Sequence, residues 1–137
     1  MASRPMTRTI TILVVDDEPF VRGLVVDALS AQGRCLLSAS SGEEAVAMAS
    51  AQKLDAIVLD LKMPGMSGIE TLRRLLEIDD TLAAIVLTGY GSAETAREAR
   101  RLGAYDYVTK PFDMAFLGEV VADSLLQKQI CAVHPTS

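Results

Sequence analysis

Histidine is nearly missing from this chain. The single one, His134, lies in a polar stretch ending Pro135-Thr136-Ser137 with no acid or nucleophile near it in sequence, which argues against catalysis by an imidazole base. Cysteine is scarce too. Cys35 and Cys131 stand far apart, show no metal-ligand spacing and follow no secretory leader pattern, so the expectation is two free thiols in a reducing cytoplasm. No apolar run approaches the roughly 20 residues that cross a bilayer. Basic charge is also short: 13 Lys and Arg against 18 Asp and Glu give a formal net charge of −5. That balance disfavours direct nucleic-acid binding, which usually needs a clustered basic face. No linker and no internal repeat interrupts the 137 residues, about one domain's worth with room for a real core. A soluble, cytoplasmic single domain is expected.

What is present is an alternation of short apolar runs with helical patterns, the signature of βα units around a parallel sheet. Five units can be counted. The first strand spans about Thr9 to Val15, and a helix opens at Pro19, a favourable first-turn residue, and stops before Gly33. Phe20, Val21, Leu24, Val25, Ala28 and Leu29 are its expected apolar stripe. Cys35 to Ala39 reads as the second strand; Ser41 with Glu44 forms a capping box for a helix through about Ala51. Ala56 to Leu59 is near-continuously apolar, as a strand buried on both faces should be. The loop Lys62-Met63-Pro64-Gly65-Met66-Ser67-Gly68 precedes a helix to about Ile78, with Met63 and Met66 expected to pack in the loop. Ala83 to Leu87, a helix from Ser92 to Leu102, Tyr105 to Thr109 and a helix from Asp113 to about Lys128 follow. The expected division is an extension over 1–8, a domain over 9–128 and a tail over 129–137. The helix after Ser92 would present only Ala93, Ala96, Ala99 and Leu102 inward. Such a face removes little apolar area from water, which fits a moving element as well as a short surface helix.

The chemistry gathers at the strand ends. Asp16 and Asp17 end the first apolar run, Asp60 the third, Thr88 the fourth, and Lys110 follows Tyr107-Val108-Thr109. In an open parallel sheet these ends share one edge, and ligands bind in the crevice outside it. Three converging carboxylates repel one another, so a hard cation is the natural compensation, and Mg2+ suits a site completed by waters and a phosphate. A solvated Asp-Asp turn is the plainer alternative; the matching position of Asp60 favours the site. Asp60 can also act as a nucleophile and form an aspartyl phosphate. That step calls for in-line geometry and charge neutralisation, for which a cation and the Lys110 ammonium are suited. The Lys110-Pro111 bond is open to either isomer.

Val14-Val15-Asp16-Asp17-Glu18-Pro19, Asp60-Leu61-Lys62-Met63-Pro64-Gly65-Met66-Ser67-Gly68, Leu87-Thr88-Gly89-Tyr90 and Tyr107-Val108-Thr109-Lys110-Pro111-Phe112 together resemble the receiver domain of bacterial two-component response regulators, over about Ile10 to Lys128. The resemblance implies a doubly wound, flavodoxin-like α/β fold with a five-stranded parallel sheet in the order 2-1-3-4-5. It implies that Asp60 accepts a phosphoryl group from a histidine kinase or histidine phosphotransfer protein. Asp17, Asp60 and the Lys62 backbone carbonyl would bind Mg2+ directly, and Asp16 would hold a metal-bound water. Thr88, the Gly89 amide and Lys110 would contact the phosphoryl oxygens, and Tyr107 would change rotamer on activation. Lys62 and Tyr90 occupy positions that tune phosphoryl lifetime. The loop wording and Thr88-Gly89-Tyr90-Gly91 look most like receivers of ATPase-type transcription activators. The expected role is a phosphoacceptor that signals through protein contacts, to a downstream target or a second copy, over the 92–128 face. Arg97, Arg100 and Arg101 there could pair electrostatically or remain a solvated basic face. A receiver fragment of a larger activator and an Mg2+-dependent aspartyl-phosphate hydrolase are the alternatives.

Overall fold

A computed structural model describes residues 9–133 except Pro64 and residues 90–92. The expectations for the 1–8 extension, Tyr90, Gly91, Ser92 and His134 lie outside the described residues. In chain order the elements are β1 (Ile10–Val15), α1 (Pro19–Leu29), β2 (Arg34–Ala39), α2 (Gly42–Ala51), β3 (Ala56–Asp60), α3 (Gly68–Ile78), β4 (Ala83–Thr88), α4 (Ala93–Leu102), β5 (Asp106–Thr109) and α5 (Met114–Val133). All strand pairs are parallel, in the order β2-β1-β3-β4-β5, as the resemblance implies.

Every residue of β3 and β4 is buried, because helices cover both faces of a parallel sheet. The two-residue period of the strands sorts their side chains into two cores. Leu13, Val15, Ile57, Leu59, Ala84 and Val86 face Ala45 of α2, Leu72 and Leu75 of α3 and Ala99 of α4. Ile12, Val14, Ala56, Val58, Ile85 and Leu87 face Val25 and Leu29 of α1 and Leu117 and Val121 of α5.

Local signals explain most element boundaries. The Ser41 hydroxyl accepts from the Glu44 amide at 3.1 Å, while the Glu44 carboxylate accepts from the Ser40 amide at 2.8 Å. The capping box thus closes one residue earlier than its usual form. Ser67 caps α3 through the Glu70 amide at 3.1 Å. Gly68 lies against the Leu61 backbone, where a Cβ would collide, and its amide donates to the Leu61 carbonyl at 3.2 Å. That contact folds the loop after Asp60 back onto its own strand.

Three expectations need correction. In α1, Phe20 is 75% and Leu24 42% exposed and Ala28 is also exposed, whereas Val25 and Leu29 are buried and Val21 and Val26 half-buried against the core. A helix this apolar offers two overlapping stripes at i, i+4, and sheet geometry chooses one. In α4, Ala93 is exposed, whereas Ala96 and Ala99 are buried and the half-buried Leu102 packs inward against the core as expected. Finally, α5 continues past Lys128 to Val133, since no glycine or proline intervenes before Pro135.

Candidate functional site

The carboxyl ends of β1, β3, β4 and β5 form one edge. Register fixes their relative heights: Val15 pairs with Leu59, Asp60 with Leu87 and Thr88 with Thr109, so Asp16 and Asp60 emerge level, Thr88 one residue higher and Lys110 one residue beyond Thr88. The ladder continues past the strands through Leu61 N–H to Leu87 O at 3.1 Å and Lys110 N–H to Thr88 O at 2.7 Å. The Lys110-Pro111 bond is cis.

Carboxylate oxygens of Asp16, Asp17 and Asp60 lie within 4.8 Å of one another. Asp16 and Asp60 are buried, at 2% and 4% exposure, and Asp17 is exposed. Both Asp60 oxygens are held. The Lys62 amide donates to Oδ1 at 3.0 Å and the Lys110 ammonium to Oδ2 at 3.0 Å. The ion pair is half in water, since the Lys110 side chain is 36% exposed and that of Asp60 5%.

Asp16 is tied at three of its four polar groups. Its amide donates to Ala39 O at 3.2 Å, its Oδ1 accepts from the Glu18 amide at 2.9 Å, and its carbonyl accepts from Arg22 Nη1 at 2.8 Å. Among the described residues, its Oδ2 is the buried side-chain polar atom left without a hydrogen-bond partner. Burial pushes the Asp16 carboxyl above its ordinary range, the Glu18 amide opposes this, and the Asp60 charge pushes it further up. An orphaned acceptor among like charges in a dry setting is the environment a divalent cation relieves. The donor set, all hard oxygens, fits Mg2+.

A cleft of about 590 Å3 opens over this edge, lined by Asp16, Asp17, Glu18, Val21, Asp60, Lys62, Met63 and Lys110. Thr88 and Tyr107 do not line it. The strand period explains why: Leu87 and Val108 belong to the core under α1 and α5, so Thr88 and Tyr107, one residue away, belong to the α4 side. They are diagonal neighbours there, because Tyr107 pairs with Val86 and Thr109 with Thr88. Gly89 follows Thr88 where a Cβ would meet nothing within 4 Å.

Tyr107 is 38% exposed, with the Arg100 guanidinium 5.3 Å from its ring centre. Arg100 Nη2 also donates to Asp106 Oδ1 at 2.9 Å, and the same oxygen accepts from the Tyr107 amide at 2.8 Å. Sequence reasoning missed this clamp and the Arg22 contact. An arginine one turn into a helix that opens at a strand end is the signal that could have found Arg22. A surface Arg–Asp pair across six residues gives no comparable signal.

The family model described as response regulator receiver domain matches residues 12–122. Sporulation initiation phosphotransferase F of Bacillus subtilis is 34% identical over 110 residues, 80% of this chain and 89% of that protein. The regulatory protein AtoC of Escherichia coli is 36% identical over 133 residues, 94% of this chain but 29% of AtoC. Among solved structures, a response regulator receiver domain protein from Clostridium thermocellum superposes with a TM-score of 0.81 at 31% identity, covering 88% of this chain and 98% of that one. NtrX from Brucella abortus, crystallised with ADP, gives 0.82 at 31% identity, covering 89% of this chain and 28% of its own.

Proposed function

The chain belongs to the response regulator receiver domain family, and from that premise we propose that it is a phosphoacceptor whose Asp60 takes a phosphoryl group from a histidine kinase or histidine phosphotransfer protein. The observation carrying this reading is the buried acidic edge, in which Asp60 is paired to Lys110 while Asp16 Oδ2 is left without a partner. Asp17, Asp60 and the Lys62 carbonyl would hold Mg2+ directly, with Asp16 reaching it through a water. Bound there, the ion supplies positive charge against the phosphoryl oxygens.

In the transfer, a carboxylate oxygen of Asp60 attacks the donor's phosphorus in line. The phosphorus–nitrogen bond to the donor imidazole breaks, and its electron pair stays on the imidazole. Lys110 exchanges its grip on Asp60 for the incoming oxygens, and the Thr88 hydroxyl and Gly89 amide supply further donors. The donor has to dock at the cleft mouth, and the exposed Phe20 and Leu24 of α1, beside Val21 in its wall, supply the apolar contact for a donor helix.

The output runs on the α4 side, where Thr88 and Tyr107 share a face. A hydroxyl drawn toward a new dianion vacates volume next to Tyr107, and α4, held by Ala96 and Ala99, resists displacement weakly. The exposed Tyr107, Phe116 and Leu126 mark the surface offered to a downstream protein or a second copy. The proposed setting is the cytoplasm, consistent with the absence, among the described residues, of any helix long and apolar enough to cross a membrane.

Treatment with an acyl phosphate and Mg2+ is expected to add one phosphoryl group to the Asp60 peptide, seen by mass spectrometry, and Asp60→Asn to abolish it. An adduct that survives Asp60→Asn refutes the assignment. Sustained release of phosphate from a simple ester would favour the hydrolase instead.

A further inference from the structure

Arg22 is absent from the set of acids, hydroxyl and lysine that the function invokes, yet its side chain reaches back from α1 to bond the Asp16-Asp17 turn. Its Nη1 donates to the Asp16 carbonyl at 2.8 Å, and its own amide is anchored to Glu18 O at 2.9 Å in the first turn of α1. The other two ties on Asp16, from its amide to Ala39 O and from the Glu18 amide to Oδ1, run to backbone groups. Asp16 is thereby held at three points with Oδ2 as its buried unpartnered acceptor.

We propose that Arg22 is a positioning residue for the cation site: by holding the Asp16 carbonyl it sets the plane of the Asp16-Asp17 peptide, and so the direction in which the Asp17 carboxylate leaves the chain. A peptide unit is rigid, so its carbonyl oxygen and the next residue's N–H turn together. Pinning the oxygen at its outer end removes the rotation that would swing Asp17 away from Asp16 and Asp60. The clustering of the three carboxylates within 4.8 Å despite their mutual repulsion needs such a restraint. Groups that orient metal ligands without touching the metal typically matter by a factor of ten or more in affinity.

The sign of the effect separates positioning from charge. Arg22 carries a positive charge beside the Asp16 carbonyl, and removing a charge of the cation's own sign by itself would, if anything, tighten cation binding. Loss of positioning weakens it. Arg22→Met keeps much of the side chain's length and apolar stem but has neither donor nor charge, whereas Arg22→Lys keeps a donor that reaches the same carbonyl.

The inference rests on the Mg2+ site proposed above, and the experiment separates the two. Mg2+ affinity is measured by calorimetry on the wild-type chain, Arg22→Met and Arg22→Lys, with thermal unfolding of each metal-free protein as the check on folding. Binding roughly tenfold weaker in Arg22→Met, with Arg22→Lys within about twofold of wild type, is the expected result. Hydrogen exchange without Mg2+ is expected to show the Asp17 amide less protected in Arg22→Met and the β3 amides unchanged. Wild-type binding with equal or tighter affinity in Arg22→Met overturns the inference and leaves the phosphoacceptor reading standing. Weaker binding that Arg22→Lys does not restore, or that accompanies loss of protection throughout α1 and β3, also overturns it, because the fault is then in the fold. A wild-type chain that binds no Mg2+ overturns the metal site and the inference with it.

Discussion

Asp16 and Asp79 lie at opposite edges of the same parallel sheet, and their surroundings push their carboxyl groups in opposite directions. Asp79, between α3 and β4, would be raised by its partial burial, but hydrogen bonds from Thr81 and Lys53 outweigh that and hold it down at about 2. Its Oδ1 accepts from the Thr81 amide at 3.0 Å and its Oδ2 from the Lys53 ammonium at 2.9 Å. Nearby, Asp55 Oδ2 accepts from the Thr11 amide at 2.8 Å, and the Asp55 backbone bonds to Thr11 O at 2.8 Å and to Ala83 N–H at 3.2 Å. That edge stitches β1, β3 and β4 together with its acids satisfied. A cleft of about 370 Å3 lies there too, lined in part by Lys53, Leu54, Leu75, Asp79 and Leu82, but it collects no carboxylate cluster.

At the ligand edge the acids are gathered, two of the three are buried, and Asp16 Oδ2 is left without a partner. The difference separates two uses of one residue type. Satisfied carboxylates strengthen the fold, whereas crowded, unsatisfied ones cost stability that a cation bound among them would recover.

Substitutions can break this comparison. The largest effect is expected at Asp16. Asp16→Asn removes a charge that the fold disfavours, so the metal-free protein should melt about 4 °C higher, while Mg2+ affinity falls by about tenfold or more. Calorimetric melts and titrations check both; a lower melting point would show that the Asp16 charge is not a cost. Asp79→Ala should do the reverse, lowering stability by about 1 kcal/mol in urea unfolding with Mg2+ affinity unchanged.

The pH dependence sharpens the contrast. A carboxyl raised by the fold contributes stability that is full below its unfolded value and lost as pH rises through its folded value, so metal-free Asp16 costs stability at neutral pH. Asp79, lowered from 3.8 to about 2, contributes stability that is present above pH 3.8 and lost as pH falls toward 2. Urea midpoints followed from pH 7 to pH 2 should therefore drop less steeply in acid for Asp79→Ala than for wild type. Metal-free Asp16→Asn should gain most over wild type at neutral pH. The smallest effect concerns α4. With Ala96 and Ala99 buried where α3 buries Thr71, Leu72 and Leu75, its amides should exchange faster than those of α3.

The sequence announced the sheet because buried parallel strands are continuous apolar runs, and it announced Asp16, Asp17, Asp60 and Lys110 because such runs end in them. Strand order came from resemblance. Other features depend on what only the folded sheet decides. Phe20 and Leu24 look as buriable as Val25 and Leu29 until the sheet selects a face. Tyr107 was legible as an aromatic at a strand end, but not its clamp, since Arg100 and Asp106 meet through the crossing of α4 over β5. The Thr88–Tyr107 juxtaposition follows from register, which requires knowing that β4 and β5 are neighbours. Arg22 was signalled only by its place one turn into a helix that opens at a strand end, because its partner is a backbone carbonyl.

The ligand edge leaves Asp16 Oδ2 without a partner, and on the proposed reading a cation completes it. The most direct test is urea unfolding at neutral pH, with and without Mg2+ at about 100 times its dissociation constant, on the wild type, Asp17→Asn and Asp79→Ala. Wild type and Asp79→Ala should each gain about 2.7 kcal/mol from the ion, and Asp17→Asn should lose most of that gain. An equal gain in Asp17→Asn, or none in the wild type, would contradict the claim.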